Sequence, residues 1–213
     1  MLEDGSVYEG TARGDFKETA CEIVFNTSMT GYVEILTDPS YAGQGVVMTY
    51  PMIGNYGISR EDFESERLQP SAFIVHELSS DPSNFRCTDT IENLLKEYNI
   101  PCISGVDTRA VVKKLRESGT MRGVLTSDIG DRERLMDVIK SFRQIDLVGS
   151  VTAKQTKVYG EENTGAEIAL MDFGTKRNII NNLVKRNCIV TVYPSFTALC
   201  FQTAPAIRRN ASI

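Results

Sequence analysis

Apolar positions fall along this chain in short bursts whose spacing changes from strand-like to helix-like and back. Ser6-Val7-Tyr8-Glu9 reads as a strand entered through an Asp4-Gly5 hairpin turn, and Ala20 to Phe25 as a second strand. Thr30 then stands before Tyr32-Val33-Glu34-Ile35-Leu36, one or two helical turns with Thr30 as N-cap. Asp38-Pro39-Ser40-Tyr41 has turn chemistry: Asp accepts backbone hydrogen bonds and Pro presets φ at its position. Val46 to Tyr50 predicts a buried strand stopped by Pro51, and Gly54-Asn55-Tyr56-Gly57 another turn. Arg60 to Gln69, dense in charge, reads as a solvated connection, and Ala72-Phe73-Ile74-Val75 as a strand.

The spacing then lengthens. Asp89 with Glu92 forms a capping pair for a helix whose stripe is Ile91, Leu94, Leu95 and Tyr98, ended by Pro101. A second helix starts at Asp107 or Thr108, turns Val111, Val112 and Leu115 inward and stops at Gly119. Gly123-Val124-Leu125 is a short strand. A third helix, Asp131 to Phe142, repeats the stripe with Leu135, Val138, Ile139 and Phe142. Helices alternating with short strands predict an α/β domain over residues 1–152.

Residues 153–166 are polar and aperiodic, which predicts a linker. Ile168-Ala169-Leu170-Met171 is a continuous apolar run of the kind a parallel sheet buries on both faces. Phe173-Gly174 turns into a helix carrying Ile179, Ile180, Leu183 and Val184, and Ile189 to Tyr193 is the next strand. This is one βαβ unit, the opening of a doubly wound sheet. Beyond Phe196 no apolar period survives.

Composition narrows the possibilities. In 213 residues, 41% apolar and 24% charged content belong to a soluble globular chain. A net charge of −5 argues against nucleic acid or an anionic membrane as partner. No apolar run approaches the roughly 20 residues of a membrane span, and the start has neither basic region nor apolar stretch of a signal peptide. The 5 cysteines make no CxxC pair, which points to reduced thiols and a cytoplasmic location.

Three stretches, NTSMTGY (26–32), EILTDPSYAGQ (34–44) and YPMIGNYG (50–57), resemble the carbamoyl-phosphate synthase small-subunit family in order and spacing. GVDTRAVVKKLRESGTMRGVL (105–125) and DFGTKRNI (172–179) extend the resemblance, which covers roughly residues 2–194. It implies a swivelling β/β/α amino-terminal domain over 1–152. It also implies that 167–196 begin a class I glutamine amidotransferase domain. Residues 197–213 are expected to be an aberrant tail, from truncation or a frameshifted reading.

The implied activity is release of ammonia from glutamine for a large subunit that makes carbamoyl phosphate for arginine and pyrimidine synthesis. ATP and Mg are expected on that large subunit, with no cofactor on this chain. Glutamine hydrolysis needs an activated thiolate on a strand-to-helix elbow, a histidine base and an orienting acid. None of Cys21, Cys87, Cys102, Cys188 or Cys200 has the flanking glycines of an elbow. His76, the single histidine, closes an apolar run beside Glu77 and reads as structural; a metal cluster is not expected. Asp172-Phe173-Gly174 matches the kinase metal-binding tripeptide, but neither a Gly-rich phosphate loop nor an HRD-like segment accompanies it. One family role transfers: the serine of DPSY, Ser40, is implied to hold the glutamine substrate across the interdomain cleft, where its hydroxyl both donates and accepts. No catalytic residue is assigned, so the chain alone is expected to be inactive. Its alternative role is a docking module that binds the large subunit without chemistry.

Overall fold

The computed structural model describes residues 1–14, 16–143 and 146–198 of a mixed α/β chain. The elements in order are β1 (Thr11–Arg13), β2 (Thr19–Asn26), α1 (Tyr32–Thr37), a 3₁₀ turn (Pro39–Tyr41), β3 (Gln44–Met48) and β4 (Met52–Ile53). A second 3₁₀ turn (Arg60–Asp62) precedes β5 (Ala72–Ile74), β6 (Glu77–Leu78), α2 (Ile91–Glu97), β7 (Cys102–Ser104), α3 (Thr108–Ser118), β8 (Met121–Leu125) and α4 (Arg132–Ser141). Then come α5 (Leu147–Val151), β9 (Lys157–Tyr159), β10 (Glu167–Asp172), α6 (Arg177–Lys185) and β11 (Ile189–Pro194).

Six strands form the main sheet in the order β1-β7-β5-β3-β2-β8. The inner four, β7, β5, β3 and β2, run parallel, and β1 and β8 close the edges antiparallel. One face buries α1 and α2 through Tyr32, Leu36, Leu94 and Leu95 against Met48 and Phe73. The other face buries α3 through Val111, Val112 and Leu115 against Ile23, Val47 and Ile74. Successive strand residues point to opposite faces, so each inner strand feeds both cores. Phe73 is fully buried, and Phe73→Ala should cost about 3–5 kcal/mol, measured as the fall in the denaturant midpoint.

The long helices fall where their periodicity places them. Asp107 caps α3 by accepting from the Ala110 amide at 2.9 Å, and Asp131 caps α4 by accepting from Arg134 at 2.9 Å. Gly119, with φ 83, ends α3. Other expectations are corrected. No strand forms over Ser6 to Glu9: the Asp4-Gly5 turn folds Met1 to Glu3 back onto β8, with Leu2 bridged to Gly123, and pairing resumes at β1. The cap of α2 is Thr90, whose hydroxyl accepts from the Asn93 amide at 3.2 Å, while Glu92 pairs instead with Lys96 at 3.1 Å. Val46 to Tyr50 shifts toward the amino terminus, because β3 follows the register of β2 from Gln44 to Met48.

Within the stretch read as a linker, β9 pairs antiparallel with β11, and β10 pairs parallel with β11. The βαβ unit is therefore present and carries a third strand. Burial of β10 on both faces is not observed: it is the edge of this sheet, and most of its residues are exposed or half-buried. The tail from residue 199 onward, with Cys200, lies outside the described residues.

The Glu18 carboxylate ties the start of β2 to α4, accepting two hydrogen bonds from the Arg134 guanidinium at 2.8 Å each. That fork, helped by the Thr126 hydroxyl, holds the Glu18 carboxyl at about 2. A depressed folded value means the pair stabilises above the ordinary value of 4.5 and stops doing so as pH falls through about 2. Glu18→Gln should therefore flatten the melting temperature against pH in that window, by a small amount because the pair is half in water.

Candidate functional site

The site is built on the turn that presents Ser40. Tyr32 and Tyr56 stack with ring centroids 4.2 Å apart. The Tyr32 hydroxyl donates to the Gly57 carbonyl at 2.8 Å. The Tyr56 hydroxyl oxygen accepts from the Gly31 amide at 2.6 Å and the Tyr32 amide at 3.2 Å. Two of the four orphan amides at the start of α1 are met this way. Thr30 does not cap the helix; Gly31, with φ 81, takes that position without a side-chain bond. Burial raises both tyrosine hydroxyls above their ordinary range, so the pair stays neutral over the physiological span.

At its other end α1 runs into the turn. Thr37, fully buried, closes on the Val33 carbonyl at 2.8 Å and accepts from the Glu64 amide at 2.9 Å. Asp38 is also buried; one carboxylate oxygen accepts from the Ser40 amide at 2.9 Å, and the other meets the Lys176 ammonium at 2.7 Å. Asn26 donates to the Tyr41 hydroxyl at 2.9 Å. Thr37, Asp38 and Tyr41 around Ser40 are thus tied to residues outside the turn, while Ser40 itself is exposed.

Glu64 corrects the reading of Arg60 to Gln69 as a purely solvated connection. It is 8% exposed and supplies the start of α6 from 114 positions away. Its main-chain carbonyl accepts from the Arg177 amide at 2.8 Å. Its carboxylate accepts from the Asn178 amide at 3.0 Å and the Asn178 side chain at 2.7 Å. Helix α6 has no side-chain cap of its own, so Glu64 performs that task from a distant part of the same chain.

Asp172, at the end of β10, completes the junction. One oxygen accepts from the Gly174 and Thr175 amides at 3.0 and 2.8 Å, and the other from the Ala153 amide at 2.7 Å. The Asp-Phe-Gly tripeptide is therefore a strand-end turn. A Cβ at Gly174 would come within 3.0 Å of Pro39, so the two turns touch where glycine alone fits. Between them lies a cleft of about 560 Å³, bordered by Pro39, Glu64, Thr152, Asp172, Arg177 and Ile180.

Ser40 follows Pro39 at the rim and does not line this cleft, and the other sequence candidates stay apart from it as well. Cys21 lies mid-strand in β2 and Cys102 at the start of β7; both are buried, and burial pushes each thiol up to about 12. Cys87 and Cys188 are half-buried in connections. His76 follows β5, and its Nδ1 donates to the Val106 carbonyl at 3.0 Å. Among the described residues no three His, Cys, Asp or Glu side chains gather as a metal site, and no helix is long and apolar enough to cross a membrane. All 5 thiols should titrate after denaturation without reductant, with Cys21 and Cys102 unreactive in the native chain; a disulfide found by peptide mapping would contradict this.

These observations define a mixed α/β protein whose six-stranded sheet carries a braced serine turn beside a βαβ unit of a second, three-stranded sheet. Residues 1–125 match the family model described as carbamoyl-phosphate synthase small chain, CPSase domain, and the chain belongs to that family. Its sequence is 48% identical over 195 residues to the carbamoyl phosphate synthase small chain of Clostridium perfringens (strain 13 / Type A), covering 91% of this chain and 55% of that protein. The small chain of Archaeoglobus fulgidus is 47% identical over 198 residues, covering 91% and 54% respectively. The chain spans about half the length of the curated relatives it matches.

Proposed function

We propose that this chain is the amino-terminal part of a small subunit that supplies ammonia from glutamine to a carbamoyl-phosphate synthase large subunit. In this reading residues 1–152 are the swivelling β/β/α domain that docks the large subunit, and β10-α6-β11 opens a class I glutamine amidotransferase domain. Ser40 presents its hydroxyl to the glutamine amide or carboxylate across the junction. ATP and Mg are used on the large subunit, and the assembly works in the cytoplasm.

The observation that carries the reading is the DPSY turn. A serine that merely closed a loop would not need Asp38, Thr37, Glu64 and Lys176 to fix its neighbours while its own hydroxyl faces solvent. Two observations support a chain without glutaminase chemistry of its own. Cys21 and Cys102 are held as thiols, and His76 is tied to Val106 on the far side of the sheet from α1. In this reading the chain docks on the large subunit and does not itself hydrolyse glutamine.

Mixed with a large subunit at micromolar concentration, the full chain should co-elute on a sizing column. The complex should make carbamoyl phosphate from free ammonia and not from glutamine, since a positioned base alone contributes about 10²–10⁴-fold and no cysteine of this sequence has the flanking glycines of a nucleophile elbow. Glutamine-dependent synthesis above the large subunit's own background, or failure to co-elute, would overturn the reading.

A further inference from the structure

A second groove, whose lining does not include Ser40, lies along the main sheet. Thr27 follows β2, Thr49 follows β3 and His76 follows β5, so the groove is bounded by the carboxyl ends of parallel strands. Its other wall is α3, which leaves β7 for the face opposite α1 and α2 and so opens a crevice. Crevices at the carboxyl ends of parallel strands, where the connections change face, are where open α/β sheets bind ligands. The volume is about 760 Å³, within the range of small-molecule sites.

Its charge is unlike the rest of this acidic chain. Arg109, Lys113 and Arg116 line the groove at i, i+4 and i+7, a single face about 10 Å long. Arg109 and Lys113 are exposed and form no ion pair among the described residues. The Arg116 guanidinium is braced over the Phe25 ring, 5.6 Å from its centre. Asp107 and Glu117 also line the groove, so three cations face two carboxylates and one net positive charge remains. Asp107 caps the Ala110 amide at one end of α3 and Glu117 lies one turn beyond Lys113, with no ion pair formed by either among the described residues. Opposite α3, the hydroxyls of Thr27 and Thr49 have no partner among the described residues, and the bond from His76 Nδ1 to a carbonyl leaves Nε2 open.

We propose that this groove is a binding site for a phosphate-bearing small molecule, held by Arg109, Lys113 and Arg116 on one side and by Thr27, Thr49 and His76 on the other. Donors approach from two walls, which suits the tetrahedral oxygens of a phosphate better than the single plane of a carboxylate. The site is separate from the Ser40 turn, and its occupancy does not require the large subunit.

The test is calorimetric titration of the full chain with pyrophosphate, at ionic strength matched with sodium chloride. One site of submillimolar affinity is expected, with a rise in melting temperature that chloride does not reproduce. Arg109→Ala with Lys113→Ala should leave the unliganded melting temperature unchanged, because neither side chain forms a hydrogen bond or ion pair among the described residues, and should weaken binding by at least about tenfold. Thr49→Val should weaken it less. Citrate binding as tightly as pyrophosphate would overturn the assignment to phosphate. Absence of binding, or binding untouched in the double variant, would overturn the site itself. Displacement of pyrophosphate by the large subunit would make the groove a protein-docking surface and overturn it too.

Discussion

Replacing Glu64 and Lys176 together by alanine is expected to detach the carboxy-terminal βαβ unit from the main sheet. The readout is faster proteolysis between residues 153 and 166, with the unfolding of the sheet domain little changed. Loss of the Glu64 carboxylate removes the cap on Asn178, worth about 1 kcal/mol. Loss of Lys176 strands the Asp38 carboxylate, whose side chain is 10% exposed, at a cost of about 1–3 kcal/mol. The sum of about 2–4 kcal/mol corresponds to roughly 30- to 1000-fold more frequent opening of the junction. Either single replacement should give part of this, and an unaltered cleavage rate in the double variant would show that the unit is held elsewhere. Alkali should mimic the lysine change. The hydrogen bond to Asp38 raises the Lys176 value above its ordinary 10.5, so the pair stabilises fully below that pH and is lost as pH rises through the raised value.

That junction was the least legible feature of the sequence. Helices α3 and α4 could be placed because cap, apolar stripe and stop signal are all local: Asp107 to Gly119 and Asp131 to Ser141 each contain their own instructions. Glu64 sits in a run of charges whose composition says only that it meets water, and its partner Asn178 is 114 positions away. Tyr56 caps α1 from 25 positions away, while Thr30, the local candidate, is unused. Strand β9 was invisible for a different reason: every one of its residues is exposed, so no alternation of burial marks it. Strand β10 misled in the opposite direction, since four apolar residues imply two covered faces and the structure covers little of either. The Ser40 turn itself could be read, because Asp-Pro-Ser-Tyr fixes φ and supplies the Asp38 acceptor within three residues. What braces that turn could not, because the braces are long-range and polar.

Gly57→Ala is expected to lower the melting temperature by about 5–15 °C and to loosen the Ser40 turn with it. Gly57 has φ 69, where a Cβ costs alanine about 1 kcal/mol relative to glycine. The new methyl would also collide with the Cys87 sulfur and approach the Cys87 Cβ at 3.0 Å, adding about 1–3 kcal/mol of overpacking. In a chain of this size each kcal/mol moves the melting temperature by about 2–4 °C, which gives the range stated. The damage should travel along a defined route. The Gly57 carbonyl holds the Tyr32 hydroxyl, Tyr56 caps α1, and α1 ends at Thr37 and Asp38, which set the backbone of Ser40. Amide hydrogen exchange at Tyr32 and Ser40 should therefore accelerate more than at Ala110, which Asp107 protects on the other face of the sheet. Cys87→Ala in the Gly57→Ala background removes the sulfur and should restore part of the overpacking cost while leaving the backbone strain. A double variant no more stable than Gly57→Ala alone would show that the positive φ, and not the contact with Cys87, sets the identity of residue 57.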